Sequence, residues 1–177
     1  AIRVQFAVDR GEKVKIKTIT FTGNDHVKEN KLARSMKKTK DSRFISFFSS
    51  KKFNEAEYEN DKRAMLSAFN EAGYRDARIV KDTMYYIEPG RLQIDFVIDE
   101  GKQYFFRDIT WTGNSVYSTE TLNEVLKIGK GDVYDVVTME KRLFGGGKQT
   151  EWDVSKLYRD NGYLFFQIQP VELNIEG

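Results

Sequence analysis

An α+β fold is what this sequence predicts: tandem β-α-α-β-β modules, each a three-stranded mixed sheet with two helices packed on one face. Three observations lead there. Ile2-Arg3-Val4-Gln5-Phe6-Ala7-Val8-Asp9-Arg10-Gly11 returns as Leu92-Gln93-Ile94-Asp95-Phe96-Val97-Ile98-Asp99-Glu100-Gly101, an offset of 90 residues from Gly11 to Gly101. Ile19-Thr20-Phe21-Thr22-Gly23-Asn24 returns at that same offset as Ile109-Thr110-Trp111-Thr112-Gly113-Asn114. Ala72-Gly73-Tyr74 has a partner in Asn161-Gly162-Tyr163, one residue off the register. A repeat of this length marks a tandem array, and modules in series serve more often as binding scaffolds than as carriers of active sites. Residues 1–11 read as the last strand of a preceding module. Residues 12–100 read as a complete module, and 101–177 as a second one short of its final strand.

Each module opens with a strand. Over Lys17 to Thr22, Ile19 and Phe21 alternate with Thr18, Thr20 and Thr22, and Asp108 to Thr112 repeats the pattern with Ile109 and Trp111 inward. Just upstream the phase flips, since Val14 and Ile16, like Tyr104 and Phe106, lie on the opposite parity. Such a switch predicts either a β-bulge or a linker, and in the second case these four residues supply inter-domain packing. Gly23-Asn24 and Gly113-Asn114 then stop the strand with turn chemistry. A first helix follows. Its buried stripe is Leu32, Ala33 and Met36 in one module, and Leu122, Val125 and Leu126 behind a Ser118 N-cap in the other. The second helix starts at Asn54, which forms a capping-box pattern with Glu57, and turns Tyr58, Met65, Phe69 and Ala72 inward. Gly73 and Gly162 close the second helices as left-handed residues, each followed by a tyrosine where a hydrophobic contact belongs. Arg75 to Ile87 and Arg91 to Asp99 then form two strands around the turn Glu88-Pro89-Gly90, with Leu92, Ile94, Phe96 and Ile98 on the buried face.

The modules are padded in different places. The first carries an enlarged loop between its helices, where Phe44, Ile45, Phe47 and Phe48 form an apolar cluster. That cluster either tucks back onto its own module or forms a partner-docking patch. The second has Gly145-Gly146-Gly147-Lys148 interrupting its second helix. Residues 2–10 match a final strand, and the second module lacks one. That combination allows head-to-tail strand exchange, the orphan strand of one copy pairing with the open sheet of the next.

Catalytic constellations do not assemble. There is no cysteine and one histidine, His26, so thiolate chemistry and the usual zinc ligand sets are excluded, and no metal or cofactor is expected. The glycine-rich run at 145–148 departs from a phosphate loop because Gln149 follows the lysine and Arg142 stands where the first glycine is required. Asp9, Asp99 and Glu100 read as strand-ending acids. With 29 basic against 27 acidic residues the charges nearly cancel, which argues against a nucleic-acid partner. Lys37-Lys38 and Lys51-Lys52 read as solvated positions, with an anionic partner as the alternative. No apolar run approaches the roughly 20 residues of a membrane helix, so the stretch reads as a soluble piece of a longer chain.

Taken together, the strand ending in Gly-Asn, the two helices, the Gly-Tyr that opens a strand pair and the closing acidic-Gly resemble the POTRA (polypeptide-transport-associated) module. Gly131-Asp132-Val133-Tyr134 matches the pattern that precedes that module's second helix. The ordered set covers essentially the whole chain, and tandem copies look most like the periplasmic arm of BamA-type outer-membrane assembly proteins. The aromatic loop and the glycine-rich interruption depart from the pattern. The resemblance implies a periplasmic, non-enzymatic scaffold whose partners are unfolded outer-membrane proteins and accessory assembly subunits, in a parent carrying a C-terminal membrane β-barrel. It also implies that an incoming chain adds to the strand after each Gly-Tyr, placing the peptide-binding edge at Arg78, Val80 and Asp82 in the first module and at Phe166, Ile168 and Gln169 in the second. The alternative is that charge blunts these edges and they are merely solvated. The POTRA arm of a two-partner secretion transporter and a cell-division scaffold module are the competing readings.

Overall fold

The central strand of the first unit explains the rest of that unit. A computed structural model describes residues 2–9, 14–39, 53–146 and 152–173. The chain clusters into two compact units, residues 1–68 with 77–100 and residues 69–76 with 101–177. In the first, β1 (Lys15–Thr22), β2 (Arg78–Glu88) and β3 (Arg91–Asp99) form a mixed sheet in the order β1-β3-β2. β3 runs parallel to β1 and antiparallel to β2. Its alternation sends Leu92, Ile94, Phe96 and Ile98 into the core, where Ile94 and Phe96 are fully buried. The other face keeps Val97 half-exposed. Phe96 stacks on Phe21 at 5.6 Å and on Tyr58 at 6.0 Å.

Helix α1 (Glu29–Ser35), its C-cap Met36 and helix α2 (Glu55–Asn70) turn Leu32, Met36, Tyr58 and Met65 inward, each at most 1 % exposed. The Asn54 side chain accepts from the Glu57 amide at 3.1 Å, as the capping pattern predicts. The aromatic cluster Phe44, Ile45, Phe47 and Phe48 lies outside the described residues. The parity flip before Ile19 is a bulge: Ile16 pairs with Leu92 and Thr18 with Gln93, so the register slips at Lys17. The slip returns Ile16 to the inward side of its own sheet.

Two buried carboxylates brace this unit. Asp61, 4 % exposed, accepts from the backbone amides of Lys37 at 2.9 Å and Lys38 at 2.8 Å, and from that of Thr39. The Lys37-Lys38 pair, read as a solvated helix end, thus has its backbone tied to α2. Glu100, 6 % exposed, accepts from Val27 N at 2.9 Å and from His26 N, and lies 2.8 Å from His26 Nδ1. Glu100 therefore does more than end a strand: it satisfies the orphan amides of the turn that follows Gly23-Asn24.

The second unit has the expected helices, α3 (Thr119–Leu126), α4 (Val136–Phe144) and α5 (Val154–Asp160). Ser118, Asp135 and Asp153 cap them by accepting from Thr121 N, Thr138 N and Lys156 N. α4 and α5 replace the single second helix of the first unit, broken after Gly145 at φ +91°. Leu122, Leu126, Leu143, Val154 and Tyr158 form the core, with Ile109, Trp111, Phe166 and Ile168 packed against it. Asp108–Thr112, expected as a strand, joins no ladder. Among the described residues of this unit the only pairing is an antiparallel bridge from Phe105 to Val133. In the first unit β1 and β2 bond to β3 and not to each other.

Gly23 sits at φ +81°, and a Cβ placed there would lie 2.1 Å from the Ile98 carbonyl oxygen. Gly113, its counterpart at φ +76°, has nothing within 4 Å. Gly23→Ala is expected to destabilise the first unit by about 3 kcal/mol or more, because overlap with β3 adds to left-handed strain, whereas Gly113→Ala costs only that strain, about 1 kcal/mol. Hydrogen exchange of β3 amides and of α3 amides reads the two units separately. Equal losses at the two sites would refute the distinction.

Candidate functional site

β2 lies at one border of the first sheet, since the order β1-β3-β2 leaves it bonded on a single side. Its register against β3 slips between Ile79 and Lys81 and again between Tyr86 and Glu88. Val80 stands at the first slip with its side chain 58 % exposed, and Tyr86 is 63 % exposed. Arg78 is anchored by Asp99, the cation donating from Nη2 to Oδ2 at 2.5 Å. This edge thus combines unpaired strand backbone with exposed apolar side chains, and both slips twist it locally.

Asp82 is held from the helix layer. Tyr58 Oη donates to Asp82 Oδ2 at 2.7 Å and Lys62 Nζ donates to the same oxygen at 3.1 Å. The Tyr58 hydrogen bond, aided by Lys62 against the opposing effect of burial, keeps the Asp82 carboxyl below the ordinary aspartate range. Burial first, and the Asp82 carboxylate second, push the Tyr58 phenol far above its usual value. Burial works against the Lys62 charge, yet Glu59 and Asp82 outweigh it and hold the ammonium high. Asp82 is therefore committed through Oδ2 to fastening β2 to α2. Asp95 in β3 is similarly engaged. It accepts from Thr20 Oγ1 at 2.5 Å and from Gln93 Nε2 at 2.8 Å, partners that outweigh burial and lower its pKa.

In the second unit, Phe166 and Ile168 lie half-buried against the core and Gln169 is exposed. Tyr158 stacks on Phe166 at 3.9 Å. Phe166, Ile168 and Gln169 line a cavity of about 730 Å³, together with Ile109 and Trp111 and the core residues beneath them. Tyr104 and Phe106 shape one end of it. Tyr104 N donates to Gly73 O at 2.9 Å, Tyr104 Oη donates to Asp76 at 2.6 Å, and Phe106 packs on Tyr134 at 4.9 Å. Gly131-Asp132-Val133-Tyr134 is fixed by Phe106 N donating to Asp132 O and Tyr134 N to Tyr104 O. Val14 is half-buried, its carbonyl accepting from Phe53 N at 3.2 Å. The two sets of expected edge residues thus differ in setting, one along a sheet border and the other inside a cleft. Sequence reasoning did not find the Tyr58–Asp82–Lys62 group, because its members are 20 and 24 residues apart and no short-range spacing signals it. Among the described residues no three His, Asp or Glu side chains converge as metal ligands would.

The family model for POTRA, described as surface antigen variable number repeat, matches residues 14–101 and again 104–176. The chain is 30% identical over 165 residues to a Treponema pallidum (strain Nichols) protein named for outer membrane protein assembly, covering 90% of this chain and 18% of that one. It is 33% identical over 85 residues to the outer membrane protein assembly factor BamA of Neisseria meningitidis serogroup B, covering 47% of this chain and 10% of that one. The chain therefore spans less than a fifth of the length of these relatives. The crystal structure of Haemophilus influenzae BamA POTRA3-5 superposes with a TM-score of 0.52 at 23% identity, over 78% of this chain and 59% of that one. BamA of Haemophilus ducreyi lacking POTRA domains 1-3 gives 0.50 at 17% identity, over 73% and 22%. At these identities the likeness concerns the fold.

Asp82→Asn should lower the stability of the first unit by about 1 kcal/mol at neutral pH, a partly exposed hydrogen-bonded charge being worth no more. Because the folded carboxyl titrates below its unfolded value, the stabilisation it gives is present above the unfolded pKa and disappears as pH falls through the folded one. Wild type should therefore lose its advantage over the variant on acidification below about pH 5. Hydrogen exchange of β3 at neutral and acidic pH measures this, and a gap that persists in acid would contradict it.

Proposed function

The chain belongs to the POTRA family, and from that premise we propose that it is a periplasmic, non-enzymatic scaffold that captures unfolded outer-membrane β-barrel precursors by strand addition. The observation that carries this reading is the border position of β2, which is bonded on one side only and carries the exposed side chains of Val80 and Tyr86. An extended client satisfies its own backbone amides and carbonyls on such an edge without requiring a particular sequence, and its alternate side chains rest beside the apolar ones. A scaffold serving many barrel precursors needs that tolerance. The relatives named for outer-membrane protein assembly support the same assignment, and the proposal extends to a parent protein that docks accessory assembly subunits and carries a membrane β-barrel. Recognition here is centred on Arg78, Val80 and Asp82. Arg78 and Asp82 are occupied by Asp99 and by Tyr58 with Lys62, so they set the shape and charge of the edge while backbone groups bind. The aromatic loop Phe44, Ile45, Phe47 and Phe48 is the proposed docking point for an accessory subunit. Strand exchange between copies, through residues 2–10, uses the same backbone chemistry.

Chemical-shift mapping with peptides copied from barrel strands tests the assignment. Shifts concentrated on residues 75–83 are expected. Perturbation confined to Phe44–Phe48 would move client binding to the loop, and an absence of shifts across the whole chain would overturn strand capture.

A further inference from the structure

The helix layer of the second unit carries two large aromatic side chains that its own core does not use. Trp152 is 63% exposed and Phe144 is 43% exposed, and they flank the break between α4 and α5. The break is a close pinch. A Cβ at Gly145 would lie 2.8 Å from Asp153 Oδ2, and Asp153 is itself buried where it caps α5. Phe144 precedes Gly145 and Trp152 precedes Asp153, so the pinch sets both rings at one place on the surface.

The internal repeat identifies the face they stand on. Asn54 and Asp135 cap equivalent helices at an offset of 81 residues, and Gly73 and Gly162 close them at an offset of 89. Counted forward from the cap, Phe144 corresponds to Arg63. Counted back from the closing glycine, Trp152 corresponds to Arg63 as well. Arg63 lies on the exposed side of α2, turned away from the buried Tyr58, Met65 and Phe69. Two rings thus occupy the outward position of the helix layer where the first unit has a guanidinium. Leu143 and Val154, their neighbours on the inward side, are buried.

Positive charge surrounds the pair. Lys156 Nζ stands 5.7 Å from the centre of the Trp152 ring. Lys141 is one helical turn before Phe144, and Arg159 one turn after Lys156, so each shares a helix face with its neighbour. Among the described residues no carboxylate pairs with Lys141, Arg142 or Arg159. Aromatic rings ringed by cations match a negatively charged interface with an apolar layer beneath it. The area decides against a protein partner. The exposed parts of the two rings amount to roughly 250 Å², against about 800 Å² per partner in a stable protein interface. A bilayer surface asks only that a few rings enter at headgroup depth with cations above them. We propose that the junction of α4 and α5 docks on an anionic phospholipid surface, with Trp152 and Phe144 entering the headgroup layer and Lys141 and Lys156 pairing with phosphates. This surface belongs to the second unit, and the inference stands independently of strand capture on β2.

Vesicles of phosphatidylethanolamine, with and without phosphatidylglycerol, test this on the full chain. In cosedimentation it should bind the vesicles containing phosphatidylglycerol, and the others about tenfold more weakly or less. The chain has two tryptophans, and Trp111 is half-buried with its indole donating to Asn123. Lipids brominated on the upper acyl chain should therefore quench Trp152, and Trp152→Ser should abolish the quenching. A basic side chain near an anionic surface contributes about fivefold, so Lys141→Gln combined with Lys156→Gln should weaken binding about 25-fold. Trp152→Ser and Phe144→Ser should each weaken it about tenfold. These side chains lie at the surface, and circular dichroism should show every variant folded. Equal binding to both compositions, or quenching that survives Trp152→Ser, would overturn the proposal. A chain that ignores both kinds of vesicle would overturn it too and leave a protein as the occupant of the patch. Binding of barrel-strand peptides at residues 75–83 should be unchanged in every variant, so a failure of strand capture registers separately.

Discussion

A central strand has two backbone borders and one apolar face to satisfy at once, and the architecture of the first unit follows from meeting all three. β3 bonds to β1 on one side and to β2 on the other, so those two strands never need to approach each other. Its inward residues meet both helices: Phe96 touches Phe21 and Tyr58, which arrive from β1 and α2. Directly after it, Glu100 reaches the turn that follows β1 and takes up two amides there. Removing a strand in this position differs from removing an edge strand. It opens both ladders and uncovers the core in one step.

The buried acids show how the helix layer is tied to this arrangement. Asp61 and Glu100 each accept backbone amides across more than 20 residues of sequence, and both are almost fully enclosed. A buried carboxylate is tolerable only when its oxygens are satisfied, and these are met by N–H groups that would otherwise be orphaned in turns. Asp82 works differently. It sits half-open at the border of the sheet, shares a tyrosine and a lysine, and fixes how far β2 stands from α2. The border strand proposed for recognition is thus fastened from behind, which would favour an incoming chain by reducing what must be ordered on binding.

Local chemistry was legible in the sequence and long-range chemistry was not. The caps at Asn54 and Ser118, the left-handed glycines at 73 and 162, the inward faces of α1 and β3, and the break of the second helix near Gly145 all follow from residues a few positions apart. The parity flip before Ile19 pointed to an irregularity, and pairing of Ile16 with Leu92 identifies a bulge. Asp61 and Glu100 had no such signal, because an acid near a helix face or a strand end looks solvated until the chain segment that meets it is known. Glu100 was further masked by the repeat itself, since its counterpart is Arg10. For the candidate site, the edge position of β2 was anticipated from the resemblance, whereas the engagement of Asp82 by Tyr58 depends on how α2 lies across the sheet.

A border strand and a central strand call for different kinds of selectivity in a partner, and the difference is physical. An outer edge asks of a newcomer only backbone hydrogen bonds and an extended conformation, so it discriminates weakly among sequences. A central position demands those bonds on both sides and a row of apolar side chains that fits a defined floor, as Leu92, Ile94, Phe96 and Ile98 of β3 do in the first unit. A polar or charged residue on the inward side of a strand would leave an unsatisfied group in the slot, whereas on an edge it would remain in water. Tolerance therefore goes with the border position of β2 and stringency with the central position that β3 fills.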